Sequence, residues 1–216
     1  MNQPWLNLQT YHWPMMSLFL AGCVLWVVVY VLVIKKIRQR QFVEIPLIGV
    51  TANIGWEFIW SFIFQPDMGK LVLIGYAAWF FLDCYIFYSL LKYGYKQLQT
   101  PALIKHSKLL IVGLTIAWAA IIITLETSGY DTPIGTISAY WDNLVFSAAY
   151  VLLALTLNDK TLLSKAAGWC KGLGTGLISI AVCIQWPDNQ FLKVICILTA
   201  SLDALYLYLL HRVQSE

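Results

Sequence analysis

The chain has 216 residues, of which 60% are hydrophobic and 12% charged, and a net charge of +3. A soluble domain carries about twice that charged share, so the composition excludes an ordinary globular protein and indicates an integral membrane one. The basic residues lie between apolar segments and form no patch, which excludes a nucleic-acid footprint.

Seven segments are long enough, or nearly so, to cross about 30 Å of hydrocarbon. They fall at Met16–Ile34, Ile45–Phe64, Leu71–Leu91, Leu109–Leu125, Thr136–Leu157, Ala166–Trp186 and Phe191–Leu210. The expected fold is an all-α integral membrane protein, one seven-helix bundle over 1–216. The first span has no basic residue before it and no small-residue cleavage site after it, so it reads as a retained helix, not a signal peptide.

Lys35, Lys36, Arg38 and Arg40 follow span 1, and Lys92, Lys96, Lys105 and Lys108 follow span 3. Lys160, Lys165 and Lys171 lie near the connection of spans 5 and 6, and Arg212 follows span 7; the other side holds Lys70 and Lys193. The positive-inside bias predicts an external or lumenal N-terminus and a cytoplasmic C-terminus. The five cysteines show no CxxC spacing and read as packing residues.

Within the spans, polar residues recur at helical spacing. In span 2, Asn53, Glu57 and Ser61 share a stripe with Trp60 and Phe64 beside it; Trp56 precedes Glu57. Span 3 aligns Tyr76, Trp79, Asp83 and Phe87, with Tyr88 adjacent. Span 5 aligns Asn143, Ser147 and Tyr150, and Asp142 is expected near its outer end, within reach of water or headgroups. Span 6 carries Gly172, Thr175, Gly176, Ser179 and Cys183, and span 7 carries Asp203 and Tyr206. Leu82-Asp83 with Tyr88 is faintly echoed by Leu202-Asp203 with Tyr208. Such stripes face the bundle interior, because lipid offers them no partner.

Glu57, Asp83 and Asp203 are each placed about twelve residues into their spans, near the bilayer midplane at about 1.5 Å per residue. An ionisable group there costs about 2.5–3.5 kcal/mol on insertion scales, so three acids indicate a functional site. No lysine or arginine is expected at a span centre, so the acids are read as free of ion pairs. Aromatic residues make up 15% of the chain, and Trp56, Trp60, Trp79, Phe87, Tyr88 and Tyr206 lie within two turns of an acid. Acids able to donate a proton, amid aromatic faces that steady positive charge, suit carbocation chemistry on an apolar substrate.

Other chemistries find no support. There is no lysine in the last span for a retinal, no Gly-rich phosphate loop, no HExxH, no Asp-rich DDxxD run and no intramembrane histidine. No metal or organic cofactor is expected.

The residues Asn53-Ile-Gly-Trp56-Glu57-Phe58, Leu82-Asp83 through Tyr93-Gly94, Trp141-Asp142-Asn143-Leu144 with Ser147, Lys171-Gly-Leu-Gly174-Thr175, and Asp203 carry a resemblance. In length, span count and motif order the chain resembles the small seven-span membrane terpene cyclases of fungal meroterpenoid and indole-diterpene pathways, which have bacterial relatives. The resemblance implies non-ionising cyclisation of a prenyl chain, often begun by protonating a terminal epoxide, with acids at the positions of Glu57 and Asp203. Between spans 5 and 6, where that family leads one to expect an arginine and a Gly-Gln-Ser stretch, the chain reads Asn158-Asp159-Lys160 through Ser164-Lys165.

The leading expectation is a membrane terpene cyclase, with Glu57 or Asp203 as general acid, the other acid tuning or deprotonating, and Asp83 a third member. Asn53, Trp56, Trp60, Ser61, Trp79, Phe87, Tyr88, Asp142, Asn143, Ser147 and Tyr206 are expected to bind substrate. The partners implied are an isoprenoid or prenylated small molecule and the bilayer, with no nucleic acid and no protein partner. The location implied is the endoplasmic reticulum membrane for a fungal protein or the inner or plasma membrane for a bacterial one. A small seven-span transporter, proton-coupled or of the sugar or vitamin type, using the same acids for cargo or protons is the alternative. A lipid-binding scaffold is the third reading.

Overall fold

The computed structural model describes residues 3–213. All regular structure among them is helical. Helix α1 spans Trp13–Arg40, with Pro14 in its first turn, where a missing N–H costs nothing, and ends at Gln41 in the left-handed region, φ 51°. Helix α2 spans Leu47–Phe58 and continues as a π-helical turn, Ile59–Ile63. Helix α3 spans Lys70–Tyr93, and a 3₁₀ turn and the short α4 at Pro101–Lys105 lead to α5 at Ser107–Thr127. Then come α6 at Thr136–Thr156, α7 at Lys165–Gln185 and α8 at Gln190–Val213. The Ser164 hydroxyl caps α7 by accepting from the Ala167 N–H.

Each expected span is therefore a helix, and the long helices run alternately up and down the bundle. Six of them, α1, α3, α5, α6, α7 and α8, are long and apolar enough to cross a membrane. The unit Leu47–Ile63 is apolar but shorter.

Packing follows a closed ring. Helix α1 lies against α3 and α7, α3 against α2, α2 against α6, α6 against α8, and α8 against α7. Helix α5 stands outside, against α2, and only Ser107, Ile111 and Ile122 of it are buried. The α1–α7 contact depends on small residues. A Cβ at Gly22 would sit 2.7 Å from the Gly174 carbonyl oxygen, too close for any other residue.

Both ends of the ring are covered. At the upper end, residues 4–11 lie along the start of α3: Lys70 N–H donates to Pro4 O at 3.0 Å and Leu71 N–H to Trp5 O at 3.1 Å. The Tyr11 hydroxyl donates to the Asp67 carboxylate, and the Gln185 amide to Thr10 O. At the lower end the α1–α2 connection is buried at Phe42, Val43, Glu44 and Ile45. A buried loop needs partners for its backbone, and Gln97 supplies them: its amide N–H groups donate to Val43 O and Ile45 O, and its carbonyl accepts from the Leu47 N–H. Glu44 accepts from the Ser164 N–H at 2.5 Å and stands 3.8 Å from Lys36. Burial pushes its carboxyl up to about 7, against the opposing pull of Lys36.

Candidate active site

Inside the ring, toward the upper end, lies a cavity enclosing about 650 Å³ of empty space with its mouth included. Aromatic residues make up the largest share of its wall: Phe19, Trp26 and Tyr30 from α1, Trp56 from α2, Tyr76 and Trp79 from α3, and Tyr140 from α6. The rings brace one another. Tyr76 meets Trp56 edge-on at 4.8 Å and stacks on Trp79 at 5.6 Å. The Trp56 indole N–H donates to Ser138 Oγ at 2.9 Å and to Gly135 O at 3.2 Å, which ties α2 to the start of α6. The polar lining consists of Asn53, Glu57, Thr136, Asp142 and Asn143 beside the tyrosines.

Glu57 is buried, and its Oε1 accepts from the Tyr30 hydroxyl at 2.6 Å. Tyr30 in turn accepts from the Asn53 amide at 3.2 Å, so the span 2 stripe turns inward at Asn53 and Glu57. Asp83, fully buried one turn below Trp79, lies close enough to Glu57 for the two carboxyl groups to act on each other electrostatically. Among the described residues no donor reaches Glu57 Oε2 or either Asp83 oxygen. Two carboxyl groups buried near each other repel when both are ionised, which favours a proton held by the pair.

Asp203 is held differently. Its Oδ1 accepts from the Lys171 ammonium at 2.5 Å, and the same ammonium donates to Ser147 Oγ at 2.7 Å. Lys171 is 1% exposed, with Phe146 and Tyr150 ring centroids 5.1 and 5.7 Å from its nitrogen. Phe146 also contacts Trp26 of the cavity wall at 5.9 Å, so its ring touches both the wall and this ion pair. It fits because position 49 is glycine: a Cβ there would fall 1.7 Å from the Phe146 ring. Tyr206, 4.7 Å from Tyr150, closes the cluster below.

Several expectations are corrected. Lys171 is not a loop charge and the acids are not free of cations, because α7 begins at Lys165 and carries Lys171 almost two turns into the bundle. Its signal lay in the span 6 stripe, since Lys171, Thr175 and Ser179 recur every four residues. Asp142 is not solvated at a boundary: it is 4% exposed, with Oδ1 meeting no donor. Ser61 and Trp60 are buried but leave the cavity wall, because the π-helical turn adds residues to that turn and breaks the spacing of four after Phe58. Tyr88 points away from the bundle, 63% exposed, and Phe87 packs on the edge of the core. Of the expected site residues, Asn53, Trp56, Glu57, Trp79, Asp142 and Asn143 line the cavity; Asp83 backs it; Ser147, Asp203 and Tyr206 form the cluster beneath.

The chain is 27% identical over 174 residues to terpene cyclase macJ of Penicillium terrestre, covering 76% of this chain and 63% of that protein. It is 24% identical over 149 residues to the Pyr4-family terpene cyclase mfmH of Annulohypoxylon moriforme, covering 66% and 59%. It is 27% identical over 104 residues to terpene cyclase ascF of Acremonium egyptiacum, covering 47% and 37%. The chain thus spans less than two thirds of the length of these curated relatives. No solved structure matches it. The sequence profile of the Pyr4-like transmembrane terpene cyclases matches residues 1–216, and the chain belongs to that family of multi-pass integral membrane proteins.

Proposed function

We propose that the chain is a membrane terpene cyclase that cyclises a prenylated or isoprenoid substrate by protonation. The carrying observation is Glu57 on the wall of an aromatic cavity, with Asp83 behind it. A proton held by this pair makes it the general acid. It delivers the proton to an alkene or terminal epoxide of the folded chain, and the π electrons of the next double bond close the ring on the resulting cation. Tyr30 holds Glu57 in place and takes up charge as the proton leaves. Trp26, Trp56, Tyr76 and Trp79 offer ring faces to the cation, each worth about 2 kcal/mol where water is excluded. Asn53 and Asn143 orient the polar part of the substrate.

Asp203, tied to Lys171, tunes the field of the site through that ion pair and delivers no proton. The residues lining the cavity include no lysine, arginine or histidine, which suits a substrate that keeps no diphosphate. All seven long helices cross the membrane in this reading, the short Leu47–Ile63 unit included, with the N-terminus outside or lumenal. The transporter alternative is not favoured by the relatives, which are named as cyclases.

The test uses membranes carrying the full chain, incubated with a farnesylated phenol and with its terminal epoxide. Mass spectrometry should find a cyclic product isomeric with the probe. Glu57→Gln keeps the volume and the Tyr30 contact but cannot supply a proton as an acid; it should cut product formation by about 10²–10⁴-fold at matched abundance. Undiminished product from that variant would refute the assignment of the acid.

A further inference from the structure

Protonation opens the reaction, but a carbocation must also lose a proton before a neutral alkene can leave. On the reading above, the group that takes it must reach the cavity and hold a free oxygen. Glu57 is engaged with Tyr30, and Asp203 is ion-paired with Lys171 and is not part of the cavity lining. Asp142 meets the requirements. It lines the cavity, it is more than nine-tenths buried, and among the described residues its Oδ1 has no hydrogen-bond partner.

Its level also suits the task. Glu57 lies six residues before the upper end of its helix at Ile63, and Asp142 six residues after the upper start of α6 at Thr136. Trp56, adjacent to Glu57, bonds Ser138, one turn before Asp142. Helices α2 and α6 pack side by side, so the two carboxyl groups stand on neighbouring walls of one cavity. We infer that Asp142 is the catalytic base that ends the cyclisation, removing a proton from the carbon next to the final cationic centre.

The step balances within the protein. The Glu57–Asp83 pair gives one proton to the substrate, forming an O–H bond as an epoxide C–O bond breaks, or a C–H bond from an alkene. At the end an Asp142 oxygen forms an O–H bond, and the electrons of the broken C–H bond become the new C=C. The product is an isomer of the substrate, Asp142 is protonated, and the acid pair is one proton short. One proton passing from Asp142 to the neighbouring wall restores the resting state, so no oxidant, reductant or external base is required.

The experiment measures product identity, which a structural role does not move. Wild type, Asp142→Asn and Asp142→Glu are reconstituted as full chains and given the farnesylated phenol epoxide in H₂¹⁸O. Wild type is expected to yield mainly cyclic alkene. Asp142→Asn should still consume the probe while the ratio of cyclic alkene to the water-captured diol falls at least tenfold, with ¹⁸O from water in the second hydroxyl of the diol; Asp142→Glu should restore the alkene. An unchanged ratio in Asp142→Asn, or a raised KM with the same products, would overturn the assignment and leave the cyclase reading intact. No product from wild type would overturn that reading and the base together. Asp142→Ser repeats the measurement with a smaller neutral side chain, and failure of both neutral variants to fold would make the residue structural and end the proposal.

Discussion

Asp83 and Asp203 occupy matching places in α3 and α8, both buried and each followed five residues later by an exposed tyrosine. Their partners differ. Asp83 has Glu57, a second acid, for a neighbour beside the cavity, whereas Asp203 is ion-paired with Lys171, whose ammonium also donates to Ser147. A second acid leaves a buried carboxyl without a countercharge, while an ammonium supplies one. One residue type in two equivalent helical positions thus has an acid for a neighbour in one helix and a cation in the other. The partner across the helix interface, not the carboxyl itself, makes the difference.

The largest effect that sharpens this contrast concerns turnover. Asp83→Asn should lower cyclisation less than Glu57→Gln does, by about tenfold, because the amide can still donate to Glu57 but no longer competes for the proton. It should also move the pH optimum, as initial rates across a pH series would reveal. Equal losses from the two variants would make Asp83 a donor in its own right.

At the Lys171–Asp203 pair the expected effect is on stability. Lys171→Met leaves Asp203 buried without its cation and should cost about 3–5 kcal/mol, read as a lowered unfolding midpoint in detergent. Lys171→Met combined with Asp203→Asn removes both charges and should recover most of that loss. If the double variant folds and cyclises at the wild-type rate, the ion pair is only structural. Loss of turnover in the folded double variant would support a tuning role for the Asp203 charge.

Glu44, at the lower end near Ser164 and Lys36, offers a third carboxyl to compare. Its pKa rises from an ordinary 4.5 to about 7, so the folded state binds the proton more tightly than the unfolded chain. The stability this contributes is complete below pH 4.5 and is lost as pH rises to 7, by about 3 kcal/mol at most. Glu44→Gln should flatten that slope, measured as unfolding midpoints from pH 4.5 to 8. A wild-type midpoint unchanged across the range would contradict it. The smallest effect belongs to Tyr88, which faces outward: Tyr88→Leu should change stability by less than about 0.5 kcal/mol and leave the products unaltered.

The positions of the long helices were legible in the sequence because hydropathy over some twenty residues is a local quantity, set by the need to satisfy backbone groups within each segment. The inward turn of Asn53 and Glu57 was legible for the same reason, since spacing of four within a regular helix fixes a face. Where the helix departs from regularity the reading failed: the π-helical turn at Ile59–Ile63 moved Trp60 and Ser61 off the cavity wall. Lys171 was misplaced because its position near a span end suits a loop charge and a buried cation equally well. Only the meeting of α6, α7 and α8 supplied Ser147 and Asp203 to hold its ammonium. The sequence determined that buried acids and aromatic rings would share the interior of a helical membrane bundle. The tertiary structure alone decided which acid meets an acid and which meets a cation, because pairing across helices depends on rotation and depth, which no single segment encodes.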